Sequence, residues 1–157
     1  MIRLINFTEL TKEQKMMVFD WRNDERVAKF MRSKNINLNE HLKFIDGLKS
    51  ASDRLYFLVE ENGEFIGVID FINISDEQCE FGLYVNPNLK NQGSKLMQII
   101  INYAFSELKV FRLNSCAYNF NKKAIALYEK FGFEIYDKDD QMSYLRLTKA
   151  NLQGKTI

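Results

Sequence analysis

The sequence predicts an α+β domain: a central mixed, mostly antiparallel sheet of about seven strands flanked by four helices. Three observations carry this reading. Apolar residues alternate at every second position in several short segments, the signature of half-buried strands. Between them lie stretches whose apolar residues recur at i, i+3, i+4 and i+7, one face of a helix. Asn62-Gly63 then joins two of the alternating segments by a turn whose central residues both take positive φ, which makes those two an antiparallel hairpin. At 157 residues the chain is most simply a single domain over 1–157, long enough to bury a core without staples. One proline, Pro87, and no Gly/Ser-rich or repeated segment leave no visible linker.

Taken in order, residues 2–7 form a short first strand, with Ile2, Leu4, Ile5 and Phe7 alternating loosely. Thr11-Lys12-Glu13-Gln14 is a capping-box pattern that opens a helix ending near Asn23. A second helical piece over 24–31 groups Val27, Phe30 and Met31, with Arg22 and Arg26 at its start, and a polar break follows at 32–35. Asn37 and Glu40 suit the start of a third helix, whose buried face is predicted at Leu38, Leu42, Ile45 and Leu48. Strands follow at 55–60, 65–74 and 78–85, the last alternating Cys79, Phe81, Leu83 and Val85 against Glu80, Gly82 and Tyr84. After Pro87 a polar loop over 89–95 leads into a long helix from Leu96 to Leu108, with Lys95, Gln98, Asn102 and Ser106 on its wet side. A strand over 111–118, a helix over 121–132 and a hairpin of 133–136 with 142–147 complete the fold, and the polar tail from Lys149 is expected to fray.

Composition removes several classes of function. Lys and Arg number 22 against 21 Asp and Glu, a formal charge of +1, so a nucleic-acid protein driven by a broad basic field is not expected and any anionic ligand must be held locally. Cys79 and Cys116 have no C-x-x-C or Cys/His spacing; no metal is expected, both read as small core residues, and a reduced, cytoplasmic setting is the simplest one. Glu9, Lys12, Glu13 and Lys15 interrupt what would otherwise be a signal-peptide pattern, and no apolar run approaches the roughly 20 residues that cross a bilayer, so no membrane partner is expected. A monomer or a weak homodimer through surface Phe and Tyr is the expected assembly.

Two stretches carry the chemistry. In Asn121-Lys122-Lys123-Ala124-Ile125-Ala126-Leu127-Tyr128-Glu129-Lys130-Phe131-Gly132-Phe133, Asn121 caps the first turn, Ala124, Leu127, Tyr128 and Phe131 share one face, and Gly132 supplies the left-handed conformation that ends a helix. Read alone this is an amphipathic helix holding a phenol. In Lys90-Asn91-Gln92-Gly93-Ser94-Lys95, a glycine-containing loop between strand and helix gathers N–H groups and a helix dipole at one point, with Lys90 and Lys95 adding positive charge. Such a point attracts phosphate, although a solvated turn would have the same composition.

The order of elements and these two motifs resemble the GNAT (Gcn5-related) N-acetyltransferases over essentially the whole chain. Asn121-x-x-Ala124-x-x-x-Tyr128-x-Lys130-x-Gly132-Phe133 follows the family's N-x-x-S/A-x-x-x-Y-x-K-x-G-F almost position by position. Lys90 to Lys95 resembles the R/Q-x-x-G-x-G/A pyrophosphate loop, with Lys95 where the family usually has Gly or Ala and with the segment around it about two residues shorter. The resemblance implies a sheet splayed at an acetyl-CoA site. Leu83, Tyr84 and Val85 would lie along the pantetheine, Lys90, Asn91, Gln92, Gly93, Ser94 and Lys95 at the pyrophosphate, and Asn121, Ala124 and Lys130 beside the cofactor. It further implies direct attack of an amine on the thioester, a backbone N–H near Tyr84 or Val85 for the oxyanion, Tyr128 as general acid for the departing thiolate, and Glu80 as base through water.

A narrower set of segments, 19–23, 29–31, 41–45, 56–57, 89–91 and 123–126, is similar to a branch of the family that acetylates a UDP-amino-sugar. The reaction implied is on the 4-amino group of UDP-4-amino-4,6-dideoxy-N-acetyl-β-L-altrosamine, in pseudaminic acid biosynthesis for flagellum glycosylation. Arg22, Met31, His41, Phe44 and Tyr84 would then supply the acceptor wall, since a nucleotide sugar needs cationic donors for diphosphate and flat apolar surface for a base. His41, the only histidine, is expected at uridine or phosphate in that setting. A protein N-terminus as acceptor, or an acyl-CoA-binding module without turnover, are the alternative readings.

Overall fold

The computed structural model describes residues 1–32 and 35–155. Among these residues the elements run β1 (Ile2–Asn6), α1 (Lys12–Asn23), α2 (Glu25–Ala28), α3 (Leu38–Gly47), β2 (Leu55–Glu61), β3 (Glu64–Ile72), β4 (Gln78–Val85), α4 (Gly93–Asn102), β5 (Arg112–Tyr118), α5 (Lys122–Lys130), β6 (Glu134–Lys138), β7 (Met142–Thr148) and α6 (Lys149–Lys155). The strands hydrogen-bond in the order β1-β2-β3-β4-β5-β7-β6, a mixed sheet in which β4 and β5 run parallel while the β1–β2, β2–β3, β5–β7 and β6–β7 pairs are antiparallel. Seven strands are present as the alternation predicts. The helices number six among the described residues rather than four, because α2 is a separate single turn and the tail forms α6. Of the polar break expected over 32–35, Ser33 and Lys34 lie outside the described residues, as do Thr156 and Ile157 of the tail. Two compact units emerge, Met1–Phe71 with Leu83–Gln92, and Ile72–Gly82 with Gly93–Ile157.

In the first unit, β1 and β3 flank β2, with Ile2 opposite Glu61 and Tyr56 opposite Asp70. Asn62 and Gly63 take φ of 50° and 87°, the left-handed pair that the β2–β3 turn requires. Thr11 and Gln14 close the capping box in both directions, Gln14 N–H to Thr11 Oγ1 at 3.1 Å and Thr11 N–H to Gln14 Oε1 at 2.9 Å. Asn37 caps α3 by accepting from the Glu40 N–H at 2.8 Å. The helix expected over 24–31 is shorter: Asp24 accepts from Arg26 N–H at 2.9 Å, and by Phe30 and Met31 the N–H groups reach back only three residues, so the α-helix is over after Ala28. Phe30, grouped with Val27 and Met31 by the predicted helix, is exposed while Val27 is buried. The buried face of α3 is also turned, with His41, Ile45 and Leu48 inside and Leu42 39% exposed. His41 decides this: its ring lies 5.2 Å from Phe19 of α1 and its Nε2–H donates to the Lys15 carbonyl at 2.9 Å, and that link sets the rotation of the helix. Phe7, Leu10, Val18, Trp21, Ile45, Leu48, Leu58 and Val68 form the core of the unit.

In the second unit, α4 starts at Gly93, three residues before the predicted Leu96, so Gly93, Ser94 and Lys95 are a helical first turn rather than loop. A Cβ at Gly93 would stand 3.1 Å from Leu127 Cδ2, so the glycine lets α4 and α5 approach closely. Leu96, Met97, Ile100 and Ala104 are buried, while Gln98, Asn102 and Ser106 face water, and Tyr103–Glu107 continues the helix with π-helical winding. β5 pairs in parallel with β4 at Gln78, Cys79 and Glu80 and antiparallel with β7 along its length. One step beyond the paired residues, Ser115 Oγ donates to the Phe81 carbonyl at 3.1 Å. Asn121 caps α5, accepting from Ala124 N–H at 3.3 Å. Gly132, at φ 101°, ends it with a Schellman pattern in which Phe133 N–H bonds to the Tyr128 carbonyl and Gly132 N–H to that of Glu129. The tail does not begin as a frayed coil: Asn151 N–H bonds to Thr148 Oγ1 at 3.2 Å and Lys149 N–H to the Phe111 carbonyl at 2.9 Å, which starts α6.

Candidate active site

The phenol of α5 is held by aromatic packing. Tyr128 is 7% exposed, its ring edge-on to Phe81 of β4 at 5.2 Å and 6.0 Å from that of Phe133, which itself lies 5.5 Å from Phe81. Three rings in mutual contact leave the tyrosine little rotational freedom. Ala124 is half-buried on the same helix, and Lys130 is exposed in its last turn, where a cation meets the negative end of the helix dipole. The first turn of α4 holds Gly93, Ser94 and Lys95 and no acidic residue, so the positive end of that helix is not neutralised from within. Glu80 is exposed on β4. Its neighbour Cys79 is buried, and burial with the Glu80 charge pushes the thiol up to about 12, which keeps it an inert core residue.

In the other unit, Leu83, Tyr84 and Val85 end β4 half-buried. Asn86 then fixes where the chain leaves the sheet. Its N–H donates to the Ile66 carbonyl at 3.0 Å, its Nδ2 to the Phe65 carbonyl at 3.0 Å, its Oδ1 accepts from Asn88 N–H at 3.0 Å, and its carbonyl accepts from Leu89 N–H at 2.9 Å. Lys90 and Asn91 are exposed beyond it, Asn91 at φ 61°, and Gln92 Nε2 donates to the Lys90 carbonyl at 3.0 Å.

The same unit gathers a polar group inside apolar surroundings. Tyr56 packs on Phe7 at 5.5 Å and edge-on to Phe44 at 4.9 Å, and Tyr84 packs on the same core. Burial pushes both phenols well above their ordinary value, the Arg22 charge partly opposes this, and Asp70 adds to it. Arg22, in the last turn of α1, is half-buried; burial lowers its pKa and the two tyrosines raise it. Arg22, Phe44 and Tyr84 are thus brought into one neighbourhood, and Met31 is half-buried after α2. His41 is placed differently from its expected ligand contact: it is 3% exposed and its Nε2–H is engaged by Lys15, a helix-pinning position. Sequence reading had passed over Tyr56 as a site residue and over Asp70 altogether. Parity alone gave no signal for Asp70, since β3 buries Ile69 and Phe71 as well as Ile66 and Val68; its face is set by its pairing opposite Tyr56.

Among the described residues no group of three or more His, Cys, Asp and Glu could hold a metal ion, and no helix is long and apolar enough to cross a membrane. A family model described as an acetyltransferase (GNAT) domain matches residues 5–134. The chain belongs to the GNAT acetyltransferase family. The family reaction is transfer of acetyl from acetyl-CoA to an amine, and the chain is an N-acetyltransferase of that class. Acetyltransferase PseH of Campylobacter jejuni (strain 81-176) is 44% identical over 154 residues, 98% of each chain. The crystal structure of Campylobacter jejuni PseH in complex with acetyl coenzyme A has a TM-score of 0.83 at 42% identity, covering 95% of this chain and 99% of that one. Spermidine N-acetyltransferase from Vibrio cholerae, solved with CoA and spermine, reaches a TM-score of 0.84 at 17% identity over 97% and 98% of the two chains, a likeness of fold alone.

Proposed function

We propose that this GNAT enzyme moves acetyl from acetyl-CoA to the 4-amino group of UDP-4-amino-4,6-dideoxy-N-acetyl-β-L-altrosamine, a cytoplasmic step of pseudaminic acid biosynthesis for flagellum glycosylation. The observation that carries this reading is the 44% identity with PseH over 98% of both chains. In support, the acceptor would find a cation, Arg22, for its diphosphate, and two phenols that burial keeps protonated and therefore donating, Tyr56 and Tyr84. Phe44 and Met31 offer apolar surface for the base.

On the donor side, the first turn of α4 with Lys90, Asn91 and Gln92 before it would hold the pyrophosphate of acetyl-CoA, using backbone N–H groups and Lys95. Leu83, Tyr84 and Val85 would pair with the pantetheine amides as an added strand does, and Asn121, Ala124 and Lys130 would line the same ligand. The amine attacks the thioester carbonyl carbon; an N–H near Tyr84 or Val85 stabilises the oxyanion; collapse breaks the C–S bond, and Tyr128 gives its proton to the thiolate. The proton shed by the amine passes through water to Glu80. Thiol release measured with the UDP-4-amino sugar, with peptides and with no acceptor tests the reading: release should require the sugar. Release driven by peptide N-termini instead would replace the acceptor, and binding of acetyl-CoA without release under any acceptor would make the chain a sensor. Loss of Glu80 should shift the pH profile of turnover, and an unshifted profile removes it as the base.

A further inference from the structure

Asn119 lies in the short connection between β5 and α5 and commits its polar groups to a different element, the β6–β7 hairpin. Its N–H donates to the Gln141 carbonyl at 2.8 Å, one step past the Tyr118–Met142 pair that ends the β5–β7 ladder. Its Nδ2 donates to the Asp139 carbonyl at 2.9 Å, and its Oδ1 accepts from Ser143 Oγ at 2.6 Å. Both ends of the amide are engaged, so its plane cannot turn without breaking a bond. Ser143 is buried, where an unpaired hydroxyl is costly. The turn that receives these bonds is itself stiff: Asp139 Oδ1 accepts from Gln141 N–H at 2.8 Å and from Met142 N–H at 2.7 Å.

The chain needs none of this to change direction. Asn121 N–H, donating to the Tyr118 carbonyl at 2.9 Å, already closes the turn, and Asn121 Oδ1 already caps α5. What the three bonds of Asn119 add is a fixed bearing of that turn on β7 and the hairpin. The other end of α5 has the same reference, since past Gly132 the chain enters β6 with Glu134 opposite Arg146 and Ile135 opposite Leu145. A helix of 9 residues is marginal by itself in water, and α5 is tied at both ends to one hairpin. Tyr128 stands about two turns into that helix, so a change in where α5 begins, or in its rotation about its axis, is carried to the phenol. Phe81 and Phe133 hold the ring from outside; Asn119 sets the helix that delivers it.

We infer that Asn119 is a positioning residue for the transfer reaction: by fastening the start of α5 to the β6–β7 hairpin, it sets the direction in which Tyr128 presents its hydroxyl. This rests on the proton-donor role proposed for Tyr128 and adds what keeps that donor in line. A misplacement of about 1 Å at a reacting group can cost about 10²-fold in rate.

The experiment is a double-mutant cycle in which thiol release is followed with acetyl-CoA and the UDP-4-amino sugar. Asn119→Ala should lower kcat by about tenfold or more, with a smaller change in the KM for acetyl-CoA. Placed on Tyr128→Phe it should cost little further, because a donor already absent cannot be misplaced; a merely structural role would make the losses multiply. Asn119→Asp keeps the bond from Ser143 and loses the one to the Asp139 carbonyl, so its kcat should fall between those of wild type and Asn119→Ala. An Asn119→Ala kcat equal to that of wild type, or losses that multiply in the double variant, overturns the assignment and leaves Tyr128 as the donor. Full turnover by Tyr128→Phe removes both. Should Asn119→Ala fail to fold, Asn119→Asp goes through the same cycle with the same outcomes. If wild type does not turn over the sugar, the acceptor reading falls and the phenol's position is read directly, by fluorine NMR of fluorotyrosine-labelled protein, the Tyr128 line being the one lost in Tyr128→Phe. That line should shift or split in Asn119→Ala while those of Tyr56, Tyr84 and Tyr103 stay in place; an unmoved line overturns the assignment.

Discussion

Two tyrosine environments divide the molecule. In one unit, Tyr128 is clamped by Phe81 and Phe133, so its surroundings fix its position. In the other, Tyr56 and Tyr84 share a neighbourhood with Arg22 and Asp70, and the surroundings set polarity. The contrast separates two tasks of a two-substrate enzyme. A proton donor for a leaving group, the role proposed for Tyr128, must be held in one place, and packed rings do that. Recognition of a charged acceptor needs fixed charges held in low dielectric, where they act strongly.

The hardest break of that contrast is Tyr128→Phe. The ring and its packing survive, so the melting temperature and acetyl-CoA affinity should hold while kcat falls by about 10²-fold or more, the usual scale of a lost general acid. Unchanged turnover would reduce the aromatic clamp to core packing. Next comes Arg22→Ala, which should raise KM for the UDP-sugar by about 10- to 100-fold with acetyl-CoA binding untouched; the reverse pattern in steady-state kinetics would remove Arg22 from the proposed acceptor site. A smaller effect is expected from Gly132→Ala. A left-handed φ of 101° disfavours a Cβ, so unfolding free energy should drop by about 1–2 kcal/mol, read as a lower thermal midpoint.

The smallest effect is a pH dependence of stability from His41. Burial foremost, with Arg22 and Lys15 adding repulsion against the hydrogen bond to Lys15, lowers its pKa below 6.5. Below the ordinary imidazole value the unfolded chain therefore binds more protons there than the folded one. The contribution is full above pH 6.5 and is lost as pH falls through the lowered folded value. Thermal melts of wild type should lose more between pH 7 and 5 than those of His41→Gln, and parallel curves would show that the ring does not titrate in that window.

What the sequence disclosed follows the same division. The cap, face and stop of α5 are written within a dozen residues, because Asn121, Tyr128 and Gly132 act through bonds three to five residues apart. The Asn62-Gly63 turn and the Thr11 capping box are local in the same sense. The neighbourhood of Arg22, Tyr56, Asp70 and Tyr84 draws on α1, β2, β3 and β4, and only pairing brings Tyr56 opposite Asp70, so no short window contains it. The face of α3 was misjudged for a related reason: helical periodicity permits either stripe, and the long-range bond from His41 to Lys15 chooses. The early start of α4 was hidden because Gly93 reads as a breaker until Leu127 is seen beside it.

Asn86 gives the molecule a kind of modularity. All four of its hydrogen-bonding groups are committed, two to the strand beside it and two to the turn that follows. The sheet end is therefore tied off before the chain reaches Lys90, and what comes after Leu89 is free of any duty to keep β4 in place. Loops of other lengths, transplanted between Leu89 and the start of α4, would start from the same footing, and this connection becomes a part to be exchanged rather than a property of the whole scaffold.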